Sequence, residues 1–145
     1  MQLRRLFGCV TVALSLVSTA VAGEYDHTVS TTKSFDEALE SVRSAAQDGG
    51  FKIPGVHTLP AGYNYVLVEV CDPEEAKRVL AVEPTLGLLL PCGKIAVYED
   101  PNNDGRTKIS LLLPSAMVRV YPSKEVWEMA EGLRPRLFKI VESAR

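Results

Sequence analysis

The chain has 145 residues, 46% hydrophobic and 23% charged, which suits one globular domain with its own core. A formal charge of −2, without a long run of like charges or a low-complexity tract, argues against disorder and against a nucleic-acid partner. Nothing repeats at a period of tens of residues, which excludes solenoids and propellers.

The chain opens with a leader pattern. Met1 to Arg5 is short and basic, Leu6 to Val17 is apolar, and small residues lead to Ala20-Val21-Ala22-Gly23. That order is a secretory signal peptide with an A-x-A-like site, so residues 1–23 read as signal and 24–145 as a single domain. Two alternatives stand beside it. An uncleaved anchor would need about 18 apolar residues, and Thr11, Ser15, Ser18 and Thr19 weaken it. Arg4-Arg5-Leu6-Phe7 resembles a twin-arginine export signal, but Leu3 precedes the pair and the following segment is strongly apolar. Cleavage would remove Arg4, Arg5 and Cys9, leaving 14 basic residues against 18 acidic ones and a formal charge of −4. The expected place is periplasmic or secreted, with no nucleic-acid partner and no membrane attachment after cleavage.

Glu24 to Thr32 alternates weakly around Tyr25, His27 and Val29 and reads as an edge strand. Ser34-Phe35-Asp36-Glu37 is a capping box, and Phe35, Ala38, Leu39, Val42, Ala45 and Ala46 follow at helical spacing until Gly49-Gly50. Phe51 to Leu59 is a short strand broken by Pro54-Gly55, and Pro60-Ala61-Gly62 is a turn. Tyr63 to Cys71 alternates well, with apolar residues on both faces, which places it centrally in a sheet. Asp72-Pro73-Glu74-Glu75 starts a second helix: Asp72 caps it, Pro73 fits its first turn and two acids suit its dipole. Ala76, Val79 and Leu80 define its face, and Pro84 ends it.

An apolar run, Leu86 to Leu90, leads through Pro91-Cys92-Gly93 to a strand from Lys94 to Glu99. Pro101 to Gly105 is a hairpin loop, and Thr107 to Leu113 returns as a strand. Pro114 to Tyr121 fits a short helix or a strand. Ser123 caps a last helix whose Val126, Ala130, Leu133, Leu137, Ile140 and Ala144 form one stripe, with a kink expected near Gly132 and Pro135. The pattern is α+β: a two-layer sandwich, a mostly antiparallel sheet with helices packed on one face.

The pieces VCDPEEA, EPTLGLLLPC and KIAVYED, with SFDEALESVRSAAQDGGFKI upstream, resemble the domain-of-unknown-function family 302. The resemblance runs from about Ser34 onward, and Leu-Leu-Pro-Cys after a Cys-x-Pro helix start is its most specific part. It implies a compact α+β sandwich that is often a homodimer, and it carries no settled activity. Many members have an amphipathic helical segment where this chain has only PGVHTLPAG, a departure from the family's pattern.

Two cysteines remain beyond the leader, Cys71 and Cys92. If the strands that carry them pair antiparallel, the end of one lies beside the start of the other and the thiols come close. Three readings stay open. The first is a structural disulfide, worth about 3 kcal/mol for a loop of this length. The second is a working thiol pair, redox-active or holding a soft cation such as copper or zinc. The third is two unpaired cysteines. Cys71 precedes a helix N-terminus that carries the acids Asp72, Glu74 and Glu75. His57 is the better of the two histidines to complete such a site, because its turn leads into the strand ending at Cys71; His27 reads as an exposed strand residue.

Met117 and Met129 are further soft donors, with Met129 suited to packing. Asp100-Pro101-Asn102-Asn103-Asp104-Gly105 mimics a calcium loop, yet Leu111 stands where its bidentate glutamate belongs. Tyr63, Tyr65, Tyr98 and Trp127 could line a pocket, a core or a dimer surface. No nucleophile elbow, phosphate-binding glycine loop or HExxH is present. The expectation is an exported, non-enzymatic accessory or binding protein whose one chemical feature is the Cys71/Cys92 pair. The alternative is an interaction module, a homodimer with a stapling or inert cysteine pair. No cofactor is required by either.

Overall fold

The computed structural model describes residues 25–90, 93–102 and 105–145. The expected signal peptide, Cys92 and Asp104 lie outside the described residues. Five strands, β1 (Asp26–Thr31), β2 (Lys52–Thr58), β3 (Tyr65–Cys71), β4 (Gly93–Glu99) and β5 (Thr107–Leu112), form one sheet in the order β1-β5-β4-β3-β2. Every neighbouring pair is antiparallel. The α-helices are α1 (Phe35–Asp48), α2 (Pro73–Val82), α3 (Ser115–Val120) and α4 (Lys124–Ala144). The architecture is the expected α+β fold with a mostly antiparallel sheet.

The capping box forms as its residue types require. Glu37 N–H donates to Ser34 Oγ at 3.3 Å, and Ser34 N–H donates to Glu37 Oε2 at 2.9 Å. Ala38, Val42 and Ala46, one helical face, are fully buried against the sheet. The α4 stripe of Val126, Ala130, Leu133, Leu137, Ile140 and Ala144 is buried throughout, and Met129 and Val141 join it. Pro135 lies inside a helix that runs on to Ala144. Beneath α1 and α4 the sheet presents Val66, Val68, Val70, Ile95, Val97, Ile109 and Leu111, all buried. Period-two alternation turns the intervening residues to the opposite face, which no described helix covers.

Three segments take a form that the sequence left open or placed elsewhere. Pro114–Tyr121 resolves to the short helix α3. The apolar run after Pro84 is a 3-10 turn, Pro84–Leu89, capped by Glu83, whose carboxylate accepts from the Thr85 amide at 3.1 Å. It packs beside α2, where a Cβ on Gly87 would come within 3.2 Å of Leu80 Cδ2, and its Leu86 is buried in the core. Leu80 is an outward residue, 40% exposed, and Val79 alone of the expected α2 face is fully buried. The sheet's middle strand is β4; β3 lies between it and the edge strand β2.

Gly93, the first residue of β4, marks where α4 crosses the sheet. A Cβ there would lie 2.8 Å from Val70 Cγ2 and 3.0 Å from Leu137 Cδ2. Glycine at this point lets helix and strand approach closely.

Candidate functional site

Strand β3 carries the candidate site at its C-terminal end. Its register with β4 runs from Tyr65 opposite Tyr98 to Val70 opposite Gly93, so the expected antiparallel pairing is present up to one residue before Cys71. On the other side Cys71 is opposite Lys52 of β2. Alternation puts Cys71 in line with Tyr65, Leu67 and Glu69, and it is half-buried at the margin of the core. Its thiol donates to the backbone carbonyl of Asp72 at 3.7 Å.

Asp72 is the anchor of this corner. One carboxylate oxygen accepts from the amides of Glu74 at 2.9 Å and Glu75 at 3.3 Å, capping α2 as its residue type predicts. The other oxygen accepts from the Arg136 guanidinium of α4. Arg136 also donates to the Gly49 carbonyl at 3.4 Å and stacks over the Phe51 ring at 4.6 Å. One side chain of α4 thereby ties together the end of α1, the start of β2 and the start of α2. Burial pushes the Asp72 carboxyl up, but the Arg136 hydrogen bond, the two amides and the Arg136 charge together hold it below the ordinary carboxylate value. Nothing local in the sequence signals this pair. Sixty-four residues separate its members, and Arg136 is one of several basic residues on α4.

His57 stands elsewhere. It is opposite Leu67, four residues back along β3 from Cys71. At about 3.3 Å per residue, that separates the two by roughly 13 Å along the strand. Its Nε2 faces Glu69 Oε2 at 3.4 Å, across the backbone of Gly55. A side chain at Gly55 would collide with both groups. Among the described residues no group of three or more His, Cys, Asp or Glu side chains is placed to hold a metal ion.

The other sequence candidates take structural places. His27 is not an exposed strand histidine: its ring stacks on Phe138 with centroids 4.3 Å apart, and its Nε2 meets Glu142 Oε1 at 2.8 Å. Phe138 and Glu142 are four residues apart on α4, so one helical face grips both the flat and the edge of the imidazole. Met129 and Met117 are buried in the core. Asp100 accepts from Lys108 Nζ at 3.0 Å and from the Asn102 amide at 3.0 Å, which holds its carboxyl below the ordinary value and occupies the first position of the calcium-like loop.

Tyr65 and Tyr98 stack across the β3–β4 pair with centroids 5.2 Å apart, and Tyr63 touches Tyr65 at 6.3 Å. Burial, then the neighbouring tyrosines, raise the Tyr65 hydroxyl above its ordinary value. The Tyr98 hydroxyl meets Ser110 Oγ at 3.2 Å, and Ser110 meets Thr28 at 2.6 Å, so hydroxyls line the uncovered face from β4 to β1. Trp127 stands apart on α4, 51% exposed.

No helix among the described residues is long and apolar enough to cross a membrane. A family model described as "Domain of unknown function DUF302" matches residues 27–144. The chain is similar to a solved structure, the crystal structure of an uncharacterized conserved protein DUF302 from Bacillus stearothermophilus. The two are 26% identical with a TM-score of 0.75, over 85% of this chain and 100% of that one. No curated protein matches the chain.

Proposed function

The chain belongs to the DUF302 family, and from that premise we propose that it is an exported, non-enzymatic accessory or binding protein whose working chemistry is the Cys71/Cys92 pair. The observation that carries this reading is the β3–β4 register. Val70 is opposite Gly93, so the described ladder ends on the two residues that adjoin Cys71 and Cys92 in sequence. Directly opposed residues in such a ladder have Cα atoms about 4.5–5.5 Å apart, within the range of about 4.4–6.8 Å that a disulfide spans. Export is supported by the leader pattern of residues 1–23 and gives a compartment in which the bond can form.

As a redox couple, the two thiols lose two protons and two electrons in forming one S–S bond, and a partner disulfide takes them up as two thiols. As a metal site, the two thiolates would hold a soft cation, copper as Cu(I) or zinc. His57 supplies no ligand in this arrangement, being roughly 13 Å along the strand. Thiol titration of the exported protein, with the reduction potential of any bond and metal analysis alongside, tests the proposal. A labile bond or stoichiometric copper or zinc is the expected result. A bond below about −300 mV with no metal reduces the pair to a staple. N-terminal sequencing of the mature protein is expected to read from residue 23 or 24.

A second reading, an interaction module that pairs as a homodimer, is favoured by the uncovered sheet face. It presents Tyr65, Leu67, Tyr98 and the 45% exposed Leu112 beside hydroxyl groups. Sedimentation of the wild type against Leu112→Lys separates it from the first. A dimer dissolved by the charge supports the module, and a monomer in both removes it.

A further inference from the structure

Helices α1 and α4 lie antiparallel. Lys33, just before α1, donates through Nζ to the Ala144 carbonyl at 2.9 Å, while Arg136 reaches Gly49 just beyond the other end of α1. Between them runs an open groove of about 430 Å³. Ala45 and the buried Ile140 line its apolar part, and its polar lining includes the Ser44 and Ser143 hydroxyls and the Arg136 and Lys139 side chains. Asp48 is the one carboxylate in the lining.

The groove's two cations are not a sample of a generally basic surface, since the chain's formal charge is −2. Arg136 and Lys139 are three residues apart on α4 and so share one side of the helix. Arg136 is fixed before any ligand arrives, held by Asp72, Gly49 and the Phe51 ring. A guanidinium has five N–H donors; Asp72 and Gly49 engage two, and about three stay available. Lys139 is exposed and has no ion-pair partner among the described residues.

We propose that this groove binds the phosphate or sulfate group of a small organic ester. The Arg136 fork and the Lys139 ammonium take the charged oxygens, a geometry that favours tetrahedral oxyanions. Ser44 and Ser143 donate to the remaining oxygens. The groove is larger than a bare oxyanion, and the organic remainder lies along Ala45 and Ile140. This site is separate from the Cys71/Cys92 proposal, and either stands if the other falls.

The test is a titration of the exported protein with phenyl phosphate, phenyl sulfate and inorganic phosphate at fixed ionic strength, followed by calorimetry. Saturable binding of an ester is expected, and the tighter of the two names the group. Lys139→Gln should weaken it about tenfold, as expected for a charge-assisted contact, with the melting temperature unchanged because Lys139 is exposed. Asp48→Asn should tighten it about threefold by removing the opposing carboxylate. Binding that does not saturate, or that is the same in Lys139→Gln, overturns the site. Inorganic phosphate binding as tightly as phenyl phosphate overturns the ester.

Discussion

The two faces of this sheet are built from alternate residues of the same five strands, yet they are held by different forces. On the helical face Val68, Val70, Ile95, Val97, Ile109 and Leu111 are fully buried, and apolar burial dominates. On the other face Tyr65, Tyr98, Ser110 and Thr28 hold one another by ring stacking and hydroxyl contacts in reach of solvent. Apolar burial is therefore concentrated on one face, and the other is the more polar and solvent-facing of the two. A strand position predicts the cost of a mutation better than its residue type does.

Adjacent residues make the sharpest test. Ile109→Ala, on the helical face, is expected to cost about 3 kcal/mol by chemical denaturation, through lost transfer energy and the cavity left behind. Next in size is Arg136→Ala, about 2 kcal/mol, because it strips the Asp72 carboxylate of its cation while the α2 amides remain. Its pH dependence has a definite sign. The Asp72 carboxyl is depressed in the folded protein, so its contribution is present above the ordinary value of 3.8 and is lost as pH falls through the folded value below it. The gap between wild type and Arg136→Ala should therefore be widest near neutrality and close in acid below 3.8. A gap independent of pH would assign the loss to packing over Phe51 instead.

Gly93→Ala is expected to cost about 1–2 kcal/mol, since its methyl must displace Val70 and Leu137 at the contact between the layers. Ser110→Ala, one residue from Ile109 but on the uncovered face, should cost less than about 1 kcal/mol. If Ser110→Ala matched Ile109→Ala in a urea melt, the division of labour between the faces would be lost.

Much of the helical layer could be read in the chain. Ser34 with Glu37, Asp72 with Pro73, and the α4 stripe are local patterns, and each sets its own element. The uncovered face was half legible: alternation assigned Tyr65 and Glu69 to one side of β3, but not what lies over them. What the sequence hid were pairings across long separations between residues of ordinary type. His27 looked like a polar strand residue because its partners, Phe138 and Glu142, are on the last helix. Arg136 and Asp72 were hidden for the same reason. Leu80 was placed inward by helical spacing, whereas it is 40% exposed and lies beside Gly87 of the 3-10 turn. At the candidate site, the antiparallel pairing of β3 and β4 followed from the strands flanking the two cysteines, whereas the separation of His57 depended on a β2 register that shifts between Lys52 and Gly55.

The place of β1 has a consequence for timing. The first strand of the chain pairs only with the last one, from Thr31 opposite Thr107 to Asp26 opposite Leu112, so its partners are 76 to 86 residues away. Contacts that distant are slow to form, because the intervening loop must close before they bring any gain. A growing chain cannot complete its sheet until β5 has been synthesised, and until then β1 has no place to lie.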